Sequence, residues 1–189
     1  MNLRAADISP VSFGWLRAAG AGLGFRRIAD TDLAFLARLY ASTRTSELAA
    51  FPWSEAEKAA FLDMQFHAQH THYQSQHPQA DRLVAMRAGE DIGRLYIERW
   101  PSQHCIIDIA FLPEHRGKGL GEALLRDLLD EAAAAGKDVS IHVEKFNPAM
   151  RLYRRLGFVT EEDKGVYDLM RWRAETAAVR TAYGWVSEA

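Results

Sequence analysis

Hydrophobic positions along the chain switch between a period of two and a period near 3.6, and the switches mark out its elements. Gly22 to Ile28 predicts a short strand. Leu33, Leu36, Ala37 and Tyr40 then recur at helical spacing, with Asp30 or Thr31 placed to cap that helix. Phe51-Pro52-Trp53 predicts a turn. Ser54 opens a second helix, and Glu57 three residues on has the capping-box spacing. Phe61, Leu62, Gln65, Phe66 and Gln69 carry that helix forward. Asp81 to Ala88 and Ile92 to Arg99 alternate on either side of Gly89-Glu90-Asp91, a hairpin pattern. The first half therefore predicts strand, helix, helix, strand, strand, with no internal repeat and no linker.

The second half predicts a second run of elements. Ile106 to Leu112 is an apolar strand interrupted by Asp108 and ended by Pro113, which has no N–H for a sheet ladder. Arg116-Gly117-Lys118-Gly119-Leu120-Gly121 leads into a helix carrying Leu120, Leu124, Leu125, Leu128, Leu129 and Ala132 on one face, with Gly136 placed to stop it. Val139 to Val143 alternates like a strand. Asn147 and Pro148 suit an N-cap and first helical position, and Gly157 ends the short helix they begin. Phe158 starts a strand, and Val166 to Trp172 is the last one.

Length and composition bound what this order can be. At 189 residues one domain is expected, since domains run to roughly 100–200 residues. Hydrophobic residues make up 48% and charged residues 25%, a globular composition. Lys and Arg number 23 against 25 Asp and Glu, so the basic excess of a nucleic-acid-coating protein is missing. No apolar run reaches the roughly 18 residues of a membrane span. One cysteine, Cys105, excludes an internal disulfide and a thiolate zinc cluster, which fits a cytoplasmic setting. Residues 1–20 have no sustained period and are expected to be a loosely ordered extension. Ile8 to Leu16, broken by Ser9, Pro10, Ser12 and Gly14, makes a poor secretion signal. Residues 21–173 are expected to form the domain, and residues 174–189 a tail.

Two clusters carry candidate chemistry. His67, His70, His72 and His77 suggest a metal site at first, but no Cys lies nearby and no Asp or Glu lies between Gln65 and Ala80, so no metal is expected. The glycine loop is more informative. Glycines at 117, 119 and 121, between a strand and a helix, let the backbone approach an anion closely. The helix N-terminus offers unpaired N–H groups and a positive dipole end, and Arg116 and Lys118 add charge. A tight turn with close helix–sheet packing explains the same glycines. A P-loop fails because Leu120, not Lys, follows Gly119. A dinucleotide fingerprint fails because the third glycine comes one position early.

These residues resemble the GCN5-related N-acetyltransferase (GNAT) family. Arg116 to Gly121 matches that family's Arg/Gln-x-x-Gly-x-Gly/Ala signature. Asn147-x-x-Ala149-x-x-Leu152-Tyr153-x-x-x-Gly157-Phe158 is similar to its second landmark, one helix and one strand further on. The resemblance is specific over Ile106 to Trp172 and holds by order of elements over Gly22 to Arg99. It implies an α/β (α+β) fold, a mixed, mostly antiparallel sheet flanked by helices. It also implies direct transfer of an acetyl group from acetyl-CoA to an amine, without a metal.

The resemblance further implies roles for particular residues. The loop from Arg116 through Gly117, Lys118, Gly119, Leu120 and Gly121 would hold the pyrophosphate of coenzyme A. The main chain at Ile109 and Phe111 would pair with the pantetheine arm, with a bulge at Ile109-Ala110-Phe111 splaying the strand. Asn147 would cap its helix, bond the pantetheine, or both. Tyr153 would protonate the leaving thiolate, where packing with Leu152 and Leu156 is the alternative. For the base, Glu98 and Asp108 stand level, ahead of His104, with Glu144 and a relayed water also open. Asp108 has a structural alternative, bonded to backbone. Cys105 and His104 are strand neighbours facing opposite ways, so they cannot form a nucleophilic dyad. The acceptor is expected to be a small-molecule or protein amine, the assembly a monomer or homodimer, and no nucleic acid or membrane is expected as partner. A rival is a coenzyme A-binding module without turnover, acting through partner contacts at Trp172, Tyr183 and Trp185.

Overall fold

A computed structural model of the protein describes residues 10–174. In chain order the elements are β1 (Pro10–Val11), α1 (Leu16–Gly20), β2 (Leu23–Arg27), α2 (Leu33–Leu48), α3 (Glu55–Gln76), β3 (Asp81–Arg87), β4 (Glu90–Arg99), β5 (Gln103–Phe111), α4 (Leu120–Ala134), β6 (Asp138–Glu144), α5 (Met150–Arg155), β7 (Val159–Lys164) and β8 (Tyr167–Trp172). The strands form one eight-stranded sheet in the order β1-β2-β3-β4-β5-β6-β8-β7. Among the described residues only β5 and β6 run parallel, and α4 supplies the crossover that a parallel pair requires. The expected mixed, mostly antiparallel sheet flanked by helices is what the chain forms.

The helices lie in two layers. The apolar stripe of α4 buries Leu120, Leu124, Leu125, Leu128, Leu129 and Ala132 against the sheet. Each buried leucine contributes about 1.5–3 kcal/mol. Gly136, at φ +65°, ends α4 as expected, with Lys137 N–H donating to the Ala132 carbonyl and Gly136 N–H to that of Ala133. On the opposite face α2 and α3 pack through Leu36, Tyr40 and Phe66. The Ser54–Glu57 capping box opens α3, with Ser54 N–H donating to Glu57 at 2.8 Å. Among the described residues, no helix is long and apolar enough to cross a membrane.

Three local expectations need correction. Residues 10–20 are built into the fold: β1 pairs with β2, and α1 packs on α4 with Trp15 and Ala18 buried. The buried Asp127 carboxylate accepts the Arg17 and Ala18 N–H groups, satisfying the first turn of α1 from another helix. Residues 1–9 and 175–189, including Tyr183 and Trp185, lie outside the described residues. The β3–β4 turn is the pair Ala88-Gly89, at φ +51° and +85°, closed by Arg87 opposite Glu90. Positive φ at both positions gives the turn twist that a hairpin favours. The acid ahead of α2 is Asp32, not Asp30 or Thr31. Its carboxylate accepts Ala29 N–H at 2.8 Å and forks onto Arg26 at 2.7 and 2.8 Å.

This buried pair makes stability depend on pH. Burial alone would push the Asp32 carboxyl up, but hydrogen bonds from Arg26 and Ala29 N–H, with the Arg26 charge, outweigh it and hold the group below its ordinary value. A depressed carboxyl contributes stability above its unfolded pKa, ~3.9, and loses it as pH falls through the lower folded value. Asp32→Asn should therefore cost about 1–3 kcal/mol at pH 7. In urea titrations the gap between wild type and variant should close in acid below about pH 4. A gap independent of pH contradicts this assignment.

Candidate active site

Strand pairing positions the site. β5 stays with β6 only from Gln103 opposite Asp138 to Ile106 opposite Ile141, and then the strands part. On the other side of β5, Tyr96 faces Asp108 and Ile97 faces Ile106, leaving Ile107 as an extra residue. The bulge is thus at Ile107, not at Ile109-Ala110-Phe111. A bulge bends its strand and sharpens the local twist, which turns the rest of β5 away from β6. Leu112 N–H donates to the Ile92 carbonyl at 2.8 Å. By the alternation of an antiparallel ladder, the main-chain groups of Ile109 and Phe111 then point to the open edge. The Phe111 carbonyl is already used, accepting Arg116 Nε at 2.7 Å.

The loop beyond β5 opens the same edge to an anion. Gly117 and Gly119 sit at φ +70° and +77°, and a Cβ at either would meet nothing within 4 Å. The left-handed backbone requires glycine there, whereas Gly121 is an ordinary helical residue beside Phe111 and Leu152. Gly119 is the N-cap of α4, whose first-turn N–H groups face outward from the helix end. Leu120 contributes only main chain, its side chain being buried. Lys118 is exposed on the loop. Arg116, exposed at the start of the loop, also has a structural partner set. Its guanidinium braces the end of β5 against α2 by donating to Phe111 O, Ser42 O and Ser42 Oγ.

Where β5 and β6 part, a cleft opens under α2 and α3. Tyr153 of α5 reaches it, nearly buried at 4% exposure. Burial, with the Asp108 charge adding to it, pushes the Tyr153 phenol above its ordinary value, so the hydroxyl keeps its proton. Asp108 lines the cleft and is paired at 2.5 Å with Arg94, which also donates to Gln69 at 2.9 Å. Across the cleft Glu144 accepts from Arg44 at 2.6 Å and from the Tyr167 hydroxyl at 3.2 Å. Asn147 lines the cleft beside α5, and its side-chain oxygen accepts Ala149 N–H at 2.8 Å. The expected N-cap is Asn147, but α5 begins at Met150 with Ala149 as its N-cap residue, so the Asn147 bond closes the turn just before the helix.

Other predicted residues lie elsewhere. Glu98 is not on the cleft wall: it is buried under the end of α3, 2.7 Å from His77 Nδ1. His104 is buried on the α4 side, with Nδ1 unpartnered and 3.9 Å from Glu131. Cys105 is a buried free thiol pushed up by burial. The histidines of α3 do not assemble, and no group of three or more potential metal ligands lies together among the described residues.

Sequence reasoning missed Arg44, Arg94, His142 and Tyr167, which all line the cleft. Arg94 left a signal, a charge inside the apolar run of β4, which stands opposite Ala110 and diagonal to the equally anomalous Asp108 on β5. The other three come from separate elements and left none.

A splayed parallel pair, a glycine loop capping the crossover helix and a tyrosine at the apex define an acyltransferase of the GNAT type. Residues 35–158 match the acetyltransferase (GNAT) family, and the chain belongs to that family. Its matches to characterised relatives are local. It is 49% identical over 49 residues to the L-amino acid N-acyltransferase MnaT of Escherichia coli, covering 25% of this chain and 28% of that one. It is 41% identical over 61 residues to the streptothricin acetyltransferase of Streptomyces lavendulae, 31% of this chain and 32% of that one. A match to the human cysteine-rich protein 2-binding protein, 44% over 57 residues, spans 29% of this chain and only 7% of that protein. The fold is shared with the PaiA N-acetyltransferase of Thermoplasma acidophilum solved with coenzyme A, at TM-score 0.61 and 16% identity over 80% of this chain and 98% of that one. It is also shared with YncA of Salmonella typhimurium solved with acetyl-CoA, at TM-score 0.51 and 24% identity over 82% and 95%.

The Arg94–Asp108 pair yields a stability prediction. Arg94 is 3% exposed, so removing its partner leaves a buried cation uncompensated. Asp108→Ala should lower unfolding free energy by about 3–5 kcal/mol. An unfolding free energy from urea titration within about 0.5 kcal/mol of wild type would show that the pair has no structural role.

Proposed function

We propose that this protein transfers an acetyl group from acetyl-CoA to a primary amine. The observation that carries the reading is the open edge of β5, with the Ile109 main-chain groups and the Phe111 N–H directed into the gap beside the Gly117–Gly119 loop. A pantetheine arm has the alternating amides to add to such an edge as a strand does. The left-handed glycines and the α4 N-terminus suit a pyrophosphate. The relatives named for L-amino acids and for streptothricin support an amine as acceptor. The unit doing this work would be the described domain, in a reducing compartment suited to its free thiol.

The residues answer the chemistry. An amine of pKa ~10.4 is under about one part in a thousand free at pH 7, so its proton must be taken up as it reacts. The leaving thiolate, of pKa ~8.5, needs a proton, and Tyr153 offers a protonated hydroxyl at the cleft. Burial makes a phenol a weaker acid, but the same dry surroundings raise the thiol as well, so transfer stays feasible. The Asn147 amide nitrogen, left over from closing that turn, is available to the pantetheine.

Release of free thiol from acetyl-CoA across a panel of amines tests the reading. Tight coenzyme A binding with no turnover on any amine would make the protein a binding module instead. Two variants test the parts. Tyr153→Phe keeps the packing and deletes the hydroxyl, and kcat should fall ~10²–10⁴-fold with coenzyme A affinity unchanged. Gly119→Val forces a β-branched residue to φ +77° and fills the approach to the helix end. Calorimetry should show roughly tenfold or weaker coenzyme A binding in a folded protein, and unchanged affinity would remove the loop from the site.

A further inference from the structure

Resting on the acetyl-transfer reading, we propose that His142 is the group that takes the proton from the acceptor amine. It is the first residue of β6 beyond the last pair with β5, Ile106 opposite Ile141, so it stands where the two strands part. Ile141 and Val143 are buried in the core with α4. Strand alternation therefore sends His142 to the opposite face, where it shares the cleft wall with Asp108, Glu144 and Tyr153.

The other titratable groups of the cleft are committed. Tyr73, Tyr153 and Tyr167 hold their protons, because burial pushes each phenol up. Arg44 and Arg94 are cations, raised further by their carboxylate partners against the opposing effect of burial. Asp108 accepts from Arg94, and Glu144 accepts from Arg44 and Tyr167. His142, solvent-accessible in the cleft, has no side-chain hydrogen bond among the described residues. Facing it are Lys164 and Glu162 from β7 and His77 from the end of α3. Burial first, then the Lys164 charge, lower its pKa, with Glu162 opposing and His77 adding slightly. The imidazole is neutral at pH 7 and has a lone pair to offer.

The proton balance closes. His142 takes one proton from the ammonium form, and water carries it away. The freed nitrogen lone pair forms the C–N bond to the thioester carbonyl carbon. The second nitrogen proton leaves by the same imidazole, the C–S bond breaks, and the thiolate takes the Tyr153 proton, which water replaces. From the ammonium form, the sum is amide, thiol and one released proton.

The experiment compares wild type with His142→Gln and His142→Asn, two amides that leave an accessible position soluble. At pH 7 kcat should fall ~10²–10⁴-fold in both, with KM for acetyl-CoA unchanged. The deficit should shrink toward about pH 9, as free amine becomes available from solution. A kcat and pH profile matching wild type in either folded variant overturns the proposal. A second readout needs no turnover: the His142 ring signals in the NMR spectrum should shift when coenzyme A and an accepted amine are added together, and unshifted signals overturn it. Wild-type protein inactive on every amine would overturn the acetyl-transfer reading itself, and this assignment with it. An active wild type matched by His142→Gln would overturn this assignment alone.

Discussion

The site depends on one interruption of backbone pairing. Ile107 is the extra residue in β5, and beyond it β5 remains bonded to β4 but leaves β6. A sheet ladder ordinarily satisfies both edges of an interior strand, so a strand released on one side exposes donors and acceptors that need a partner. Here the release is local. The strands stay parallel and paired through Ile106 and Ile141, and α4, anchored by its leucines, keeps the two halves of the sheet together. The gap is therefore held open by the fold and does not need to be made by a ligand. Preorganisation of this kind removes ordering cost from binding.

The electrostatics of the cleft follow from the same geometry. Its two arginines come from different layers, Arg44 from α2 and Arg94 from β4, and each meets a carboxylate from a strand bordering the gap. Pairing keeps either cation from being stranded in a dry wall, where an uncompensated charge is very costly. The pairs also join the helical layer to the two diverging strands. A cleft lined this way has little net charge, and Tyr40, Thr43, Gln69 and Tyr73 place further hydrogen-bonding groups on its helical side.

Most of the fold was legible in the sequence because it rests on strong local patterns: the α4 stripe, the Ser54–Glu57 box and the stop at Gly136. The glycine loop and the Asn147–Phe158 segment were legible because backbone conformation and capping select particular residues. What failed was long-range. Residues 10–20 carry no period of their own, since β1 is two residues long and α1 five, and both are stabilised by partners far along the chain. Glu98 stood out as an acid on a strand near Asp108, but it meets His77 at the end of α3, a contact between elements far apart in sequence. Arg116 also serves the carbonyl that the end of β5 leaves open, a contact the sequence did not signal.

The N-terminal segment shows how the loop helix is held. α4 presents its N-terminus to the open gap, so any rocking of the helix would move the loop. Asp127 on α4 accepts the first N–H groups of α1, and Arg17 spans Asp127 and Asp130. Glu131 then binds the Trp15 indole at 2.9 Å and Arg99 of β4, which reaches on to Asp81 of β3. Near the other end, Glu122 holds Arg155 of α5. Exposed ion pairs contribute little one by one, but Asp127 is 6% exposed and accepts main-chain N–H groups that would otherwise be buried unsatisfied. The helix is thus fixed near its C-terminal end by a segment far away in sequence and near its loop end by the helix that carries Tyr153. Glu122 and Arg155 thus join the helix that begins at the loop glycines to the helix that carries Tyr153.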